Sequence, residues 1–142
     1  MLKFSIPIKS ALLGLCLGAL GCGHAEPWEQ VVSARGAVTF KGKPIAGAQL
    51  TLIPVDPTFP GSVRPTATTL PTGEYTIGTH SVNDGAPVGE YKVGIVWHPL
   101  VNKGGGPVRG DNVLPPRLAN PETSNLKIVI GKSDNVIPHI HL

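Results

Sequence analysis

The chain has 142 residues, 12 of them Lys or Arg and 9 Asp or Glu, with 41% hydrophobic and 15% charged residues. That length suits one domain of ordinary size, and the apolar content and alternating runs argue against a disordered chain. Lys3 and Lys9 fall in a segment expected to be removed; the remaining 10 basic residues face 9 acidic ones, a balance that excludes the electrostatic footprint of a nucleic-acid binder.

In chain order, residues 1–21 read as an export signal. Lys3 and Lys9 form a positive start, and Ala11 to Leu20 is an uncharged, Leu-rich run, too short for a comfortable permanent span. The run ends Ala19-Leu20-Gly21-Cys22, which resembles the lipobox of bacterial lipoproteins. That resemblance implies cleavage before Cys22 and a diacylglycerol thioether on its sulfur, so that Cys22 is a lipidation site and the partner is a membrane. Several buried acyl chains hold firmly, since each CH₂ contributes roughly 0.8 kcal/mol. Cys16 and Cys22 are the chain's two cysteines, so residues 23–142 hold no disulfide and depend on their apolar core. Residues 22–29 are expected to be a tether and 30–142 the folded domain, exported and anchored in the cell envelope.

Beyond the tether the apolar period is two, the signature of strands. Gln30 to Phe40 turns Gly36, Val38 and Phe40 one way; Ala46 to Val55 places Ala48, Leu50 and Leu52 on one face. Between them Lys41-Gly42-Lys43-Pro44-Ile45 supplies turn chemistry, so Ala34 to Pro54 is expected to be a β-hairpin with a longer loop. Arg64 to Leu70 is expected at a sheet edge because Pro65 cannot donate to a ladder. Tyr75 to Thr79 points Tyr75 and Ile77 inward. Glu90 to His98 has the clearest alternation, with Tyr91, Val93, Ile95 and Trp97 on one face. Leu126 to Ile130 and Val136 to Leu142 alternate again. Seven short strands with frequent turn signals, 18 Gly and 15 Pro, predict an all-β fold, a single antiparallel β-sandwich. Residues 99–122, with five prolines, four glycines and no period, are expected to cross between the two sheets.

The pattern as a whole resembles small lipoproteins of planctomycete type with a carboxypeptidase regulatory-like domain, a transthyretin-like or prealbumin-like Greek key. The residues that carry the likeness are Gly36 to Ala48, Thr72 to Ile77, Asp84 to Val93, Leu114 to Arg117 and Asn120 to Leu126. Leu118 departs from it, standing where such proteins often carry Tyr. The resemblance covers residues 30–142 and implies a fold and a location but no reaction, since the related module of carboxypeptidases is a non-catalytic appendage.

No enzyme, cofactor or catalytic residue is expected. A 5-hydroxyisourate hydrolase of this fold ends in Tyr-Arg-Gly-Ser, whereas this chain ends Pro138-His139-Ile140-His141-Leu142. Ser, His and Asp are present without a nucleophile elbow, which leaves an uncharacterised hydrolase as one alternative. His139 and His141, two apart on a strand, share a face and with His98 form the candidate metal ligands of a second alternative, a metal-binding module; alternation alone explains their spacing equally well, and no metal is expected. Tyr75, Tyr91 and Trp97 could form a sugar platform, but their phase makes them core residues first. The expected role is structural, or the binding of an envelope protein or a glycan.

Overall fold

The computed structural model describes residues 23–142; the signal segment and Cys22 lie outside the described residues. The fold is all-β. Its strands are β1 (Ala34–Phe40), β2 (Lys43–Pro44), β3 (Ala48–Pro54), β4 (Thr66–Thr68), β5 (Glu74–Thr76), β6 (Gly89–Trp97), β7 (Leu100–Asn102), β8 (Pro107–Arg109), β9 (Leu126–Ile130), β10 (Asn135–Val136) and β11 (Ile140–His141), with one 3-10 turn at Pro116–Leu118. β4, β3, β6 and β9 form one antiparallel sheet in that order; β1 is the centre of a second, flanked by β2 and β5 on one side and β10 and β11 on the other. The two sheets face each other as a sandwich.

The core lies where the inward phases meet. Val38 comes from β1, Leu50 and Leu52 from β3, Tyr91, Val93 and Ile95 from β6, and Ile128 and Ile130 from β9, all buried. Tyr75 and Ile77 are buried as expected, whereas Trp97 is only half-buried, edge-on to Phe40 with ring centroids 6.0 Å apart. Its indole N–H donates to the Ala46 carbonyl at 2.9 Å.

Three expectations are corrected. Residues 34–40 and 48–54 do not form a hairpin with each other: β1 and β3 belong to different sheets. The turn at Lys41 and Gly42, both with positive φ, instead folds β1 back on the two residues of β2. Two central residues with positive φ match the right-handed twist of a tight hairpin. The chain then passes to the other sheet through residues 45–48, which Thr69 holds: its hydroxyl donates to the Ile45 carbonyl at 2.6 Å and accepts the Ala48 N–H at 2.9 Å. The second correction concerns direction, because β1 pairs in parallel with both β10 and β11. The third concerns residues 99–122, which leave β6 and return to β9, its neighbour in the same sheet. They hold the β7–β8 ribbon and then lay Ala119 and Pro121 over Gly94, where a Cβ would come within 2.7 Å of the Ala119 carbonyl oxygen. Leu114 and Leu118 anchor this segment in the core.

Candidate functional site

A concavity with charged walls lies over the β1 sheet. Its position follows from one register change. β1 pairs Arg35 with Val136 at one end and Thr39 with His141 at the other, so β1 advances four residues while the facing segment advances five. The extra residue is a β-bulge at residues 137–139. Before the bulge the Ile137 N–H donates to the Arg35 carbonyl at 2.8 Å; after it the Leu142 N–H donates to the Thr39 carbonyl at 2.9 Å. The Val38 N–H turns to the Gly73 carbonyl on the β5 side, so the Ala37 N–H points the other way, where the next rung is skipped: Ala37 pairs with no residue of 137–139.

A groove of about 720 Å³ runs above this gap, walled by Arg35, Glu74, Leu70, Val136, Pro138 and His139. Leu70 and Val136 are exposed, Val136 at 74%. The Arg35 guanidinium makes no ion pair or hydrogen bond among the described residues, and the Glu74 carboxylate accepts from the Thr72 hydroxyl at 3.1 Å. The site therefore offers an unpaired guanidinium, a carboxylate with no cationic partner among the described residues, an open main-chain donor and apolar walls. Beneath it Tyr75 lies across Gly36, whose added Cβ would meet the phenol oxygen at 2.5 Å. The Tyr75 hydroxyl is buried without a partner, and burial pushes its pKa up. A smaller depression of about 530 Å³ adjoins, sharing Leu70 and Thr76.

His139 and His141 do come together. Their rings stack with centroids 4.2 Å apart and planes 7° from parallel, and His141 Nδ1 shares a 3.0 Å hydrogen bond with Thr39 Oγ1. A nitrogen lone pair lies in its ring plane, so parallel stacked planes do not converge on one ion as a chelate requires. His98 is elsewhere employed, its Nδ1 3.0 Å from the Gly110 carbonyl oxygen. Among the described residues no three His, Cys, Asp or Glu side chains are grouped to hold a metal. Of the three aromatic candidates for a sugar platform, Tyr75 and Tyr91 are buried, and Tyr91 donates to the Pro87 carbonyl at 2.7 Å.

Sequence reasoning singled out His139 but missed Arg35, Glu74 and Ala37. Arg35 and Ala37 were legible as the outward phase of a strand; what makes them a site is the distant bulge, which Pro138, lacking an N–H, alone hints at.

No family model matches the chain, and no curated protein matches it. Among solved structures it is similar to a 9R-lipoxygenase from Cyanothece, with 16% identity and a TM-score of 0.40 over 82% of this chain and 17% of that one. It is also similar to a Pseudomonas aeruginosa protein described provisionally as carbohydrate binding, with 14% identity and a TM-score of 0.40 over 81% of this chain and 90% of that one. The chain thus spans under a fifth of the lipoxygenase.

Proposed function

We propose that this is a lipid-anchored, non-catalytic protein of the cell envelope, whose sandwich holds an extended segment of a partner protein in the groove over β1. The anchoring rests on the Leu-rich signal that ends at Gly21-Cys22. The observation that carries the binding role is the open Ala37 N–H on the groove floor between Arg35 and Glu74. A strand-like peptide presents carbonyl acceptors for that one donor and charged side chains for Arg35 and Glu74. A glycan is less well served, because the groove wall carries no exposed aromatic other than the His139 imidazole. A non-catalytic role is supported by the hydrogen bonding of the buried serine and of the histidines. Ser124 Oγ donates to the Val93 carbonyl and accepts the Leu126 N–H. His80, His98 and His141 each contact a carbonyl or a threonine hydroxyl and no serine.

The test is site-specific photocrosslinking in native envelopes. A photoreactive residue at Val136 should give a protease-sensitive adduct that Arg35→Ala weakens, while the same probe at Leu100, on the β7–β8 ribbon, should not. An adduct resistant to protease and cleaved by glycosidases would replace the peptide with a glycan. No adduct at Val136 would remove the groove as a binding site.

A further inference from the structure

The sandwich has two poles, and they differ in chemistry. β6 runs from Gly89 to Trp97, nine residues that span about 26 Å at the usual rise per residue. Its last residue meets Phe40, the end of β1, and the β7–β8 ribbon follows. The other pole gathers the start of β6 with the start of the described chain: Val32 bridges Ala86, three residues before β6. There Trp28 packs edge-on to Phe59, centroids 6.2 Å apart. Phe59 in turn lies 3.9 Å from where a Cβ on Gly89 would sit. The Trp28 carbonyl is 3.3 Å from His80 Nε2, which brings in the loop that carries Val82, 90% exposed. Val55 and Val88 on the same pole are also exposed, with the Val55 N–H donating to the Glu90 carbonyl at 2.9 Å.

We infer that this pole is a lipid-facing seat, with Trp28, Phe59 and the exposed valines around them resting on the bilayer surface at the level of the lipid headgroups. The inference rests on the lipid-anchored reading and adds an orientation to it. From Cys22 to Trp28 is six residues, a reach of at most roughly 20 Å when fully extended, so an acyl chain on Cys22 delivers this pole to the membrane and leaves the Trp97 pole about a strand length above it. Half-buried Trp with an adjoining Phe is the side-chain chemistry that settles at the membrane–water interface. The attraction is apolar: Asp56 and Asp84 bond to the Phe59 and His80 loops, Glu26 and Glu29 flank Trp28 in sequence and Glu90 pairs with Lys127, against Arg64 in the cleft beside Phe59. Zwitterionic lipid therefore suits it better than anionic lipid.

The chain has two tryptophans, one at each pole, which makes the orientation measurable. Trp97→Phe leaves Trp28 as the reporter, and Trp28→Phe leaves Trp97. Each processed full-length protein is reconstituted into phosphatidylcholine vesicles brominated near the headgroup end of the acyl chains. Mass spectrometry of the peptide that contains Cys22 reports its lipid. Trp28 emission should fall relative to unbrominated vesicles, as expected for an indole at the interface, and Trp97 emission should not change. Quenching should diminish when phosphatidylglycerol replaces phosphatidylcholine. Lipidated protein with Trp28 unquenched, or with both tryptophans quenched alike, overturns the seat and leaves the anchor standing. Cys22 without lipid overturns the anchor and the seat with it.

Discussion

The two sheets of this sandwich are built in opposite ways. In the four-stranded sheet β3 and β6 pair over seven consecutive residues, from Ala48 with Trp97 to Pro54 with Tyr91, and β6 and β9 over five. In the other sheet β1 serves four partners of two or three residues each. A long, uninterrupted ladder satisfies its own backbone and buries a continuous apolar face. A patchwork ladder ends at each change of partner, and the rung it omits, at Ala37, lies on the floor of the groove. The regular sheet carries the core, and the irregular one carries the candidate site, in keeping with bulges near functional positions.

The largest effect that tests this division is in the regular sheet. Ile95 is fully buried in β6, an inner strand of its sheet, so Ile95→Ala should cost about 2–5 kcal/mol in chemical denaturation, through lost transfer energy and a cavity. Thr51, half-buried on the opposite face of β3, should cost within about 1 kcal/mol as Ala. Equal losses would mean that the inner and outer faces have been exchanged.

The irregular sheet is sharpened by a pair of variants under the groove. Gly36→Ala pushes a methyl against the Tyr75 ring, with contacts of 2.5 and 2.7 Å to the phenol oxygen and its carbon, and should cost about 1–3 kcal/mol as overpacking. Tyr75→Phe removes a buried hydroxyl that has no partner and should be neutral or stabilising, by up to about 1 kcal/mol. A clear loss in Tyr75→Phe would show that the hydroxyl is bonded.

The smallest expected effect is at low pH. Asp84 is partly desolvated, which acts to raise its pKa; its hydrogen bonds from the Thr79, Ser81 and His80 N–H groups and the charge of His80 outweigh this and hold the pKa below 3.8. Asp56 is lowered by the Thr58 hydroxyl and N–H. A depressed carboxylate contributes stability above its unfolded pKa and loses it as pH falls through the folded value. Stability should therefore be level above about pH 5 and decline below 3.8. Denaturation across that range should show a shallower acid decline in Asp84→Asn, and an unchanged slope would remove Asp84 from the account.

Much of the fold was legible because a period of two fixes which side chains turn inward. Val38, Leu50, Leu52, Tyr75, Ile77, Tyr91, Val93 and Ile95 all follow from alternation and are buried. Alternation assigns a face but not a partner, which is why β1 and β3 looked like one hairpin. The true hairpin strand, Lys43–Pro44, is two residues long, and the crossing beyond it depends on Thr69, more than 20 residues away in sequence. The β7–β8 ribbon was hidden by its three-residue strands and its prolines. The groove was the least legible feature, because it comes from a register difference between residues about 100 apart, and no local pattern records such a difference.

The central claim is that the β1 ladder has an open rung at Ala37. Native-state amide hydrogen exchange on the unliganded protein tests it residue by residue. Val38, whose N–H donates to the Gly73 carbonyl at 2.9 Å, should exchange slowly, while the Ala37 N–H beside it, in the middle of the same strand, should exchange rapidly. Protection at Ala37 equal to that at Val38 would mean that the rung is closed, and the bulge would then leave no open main-chain donor on the groove floor.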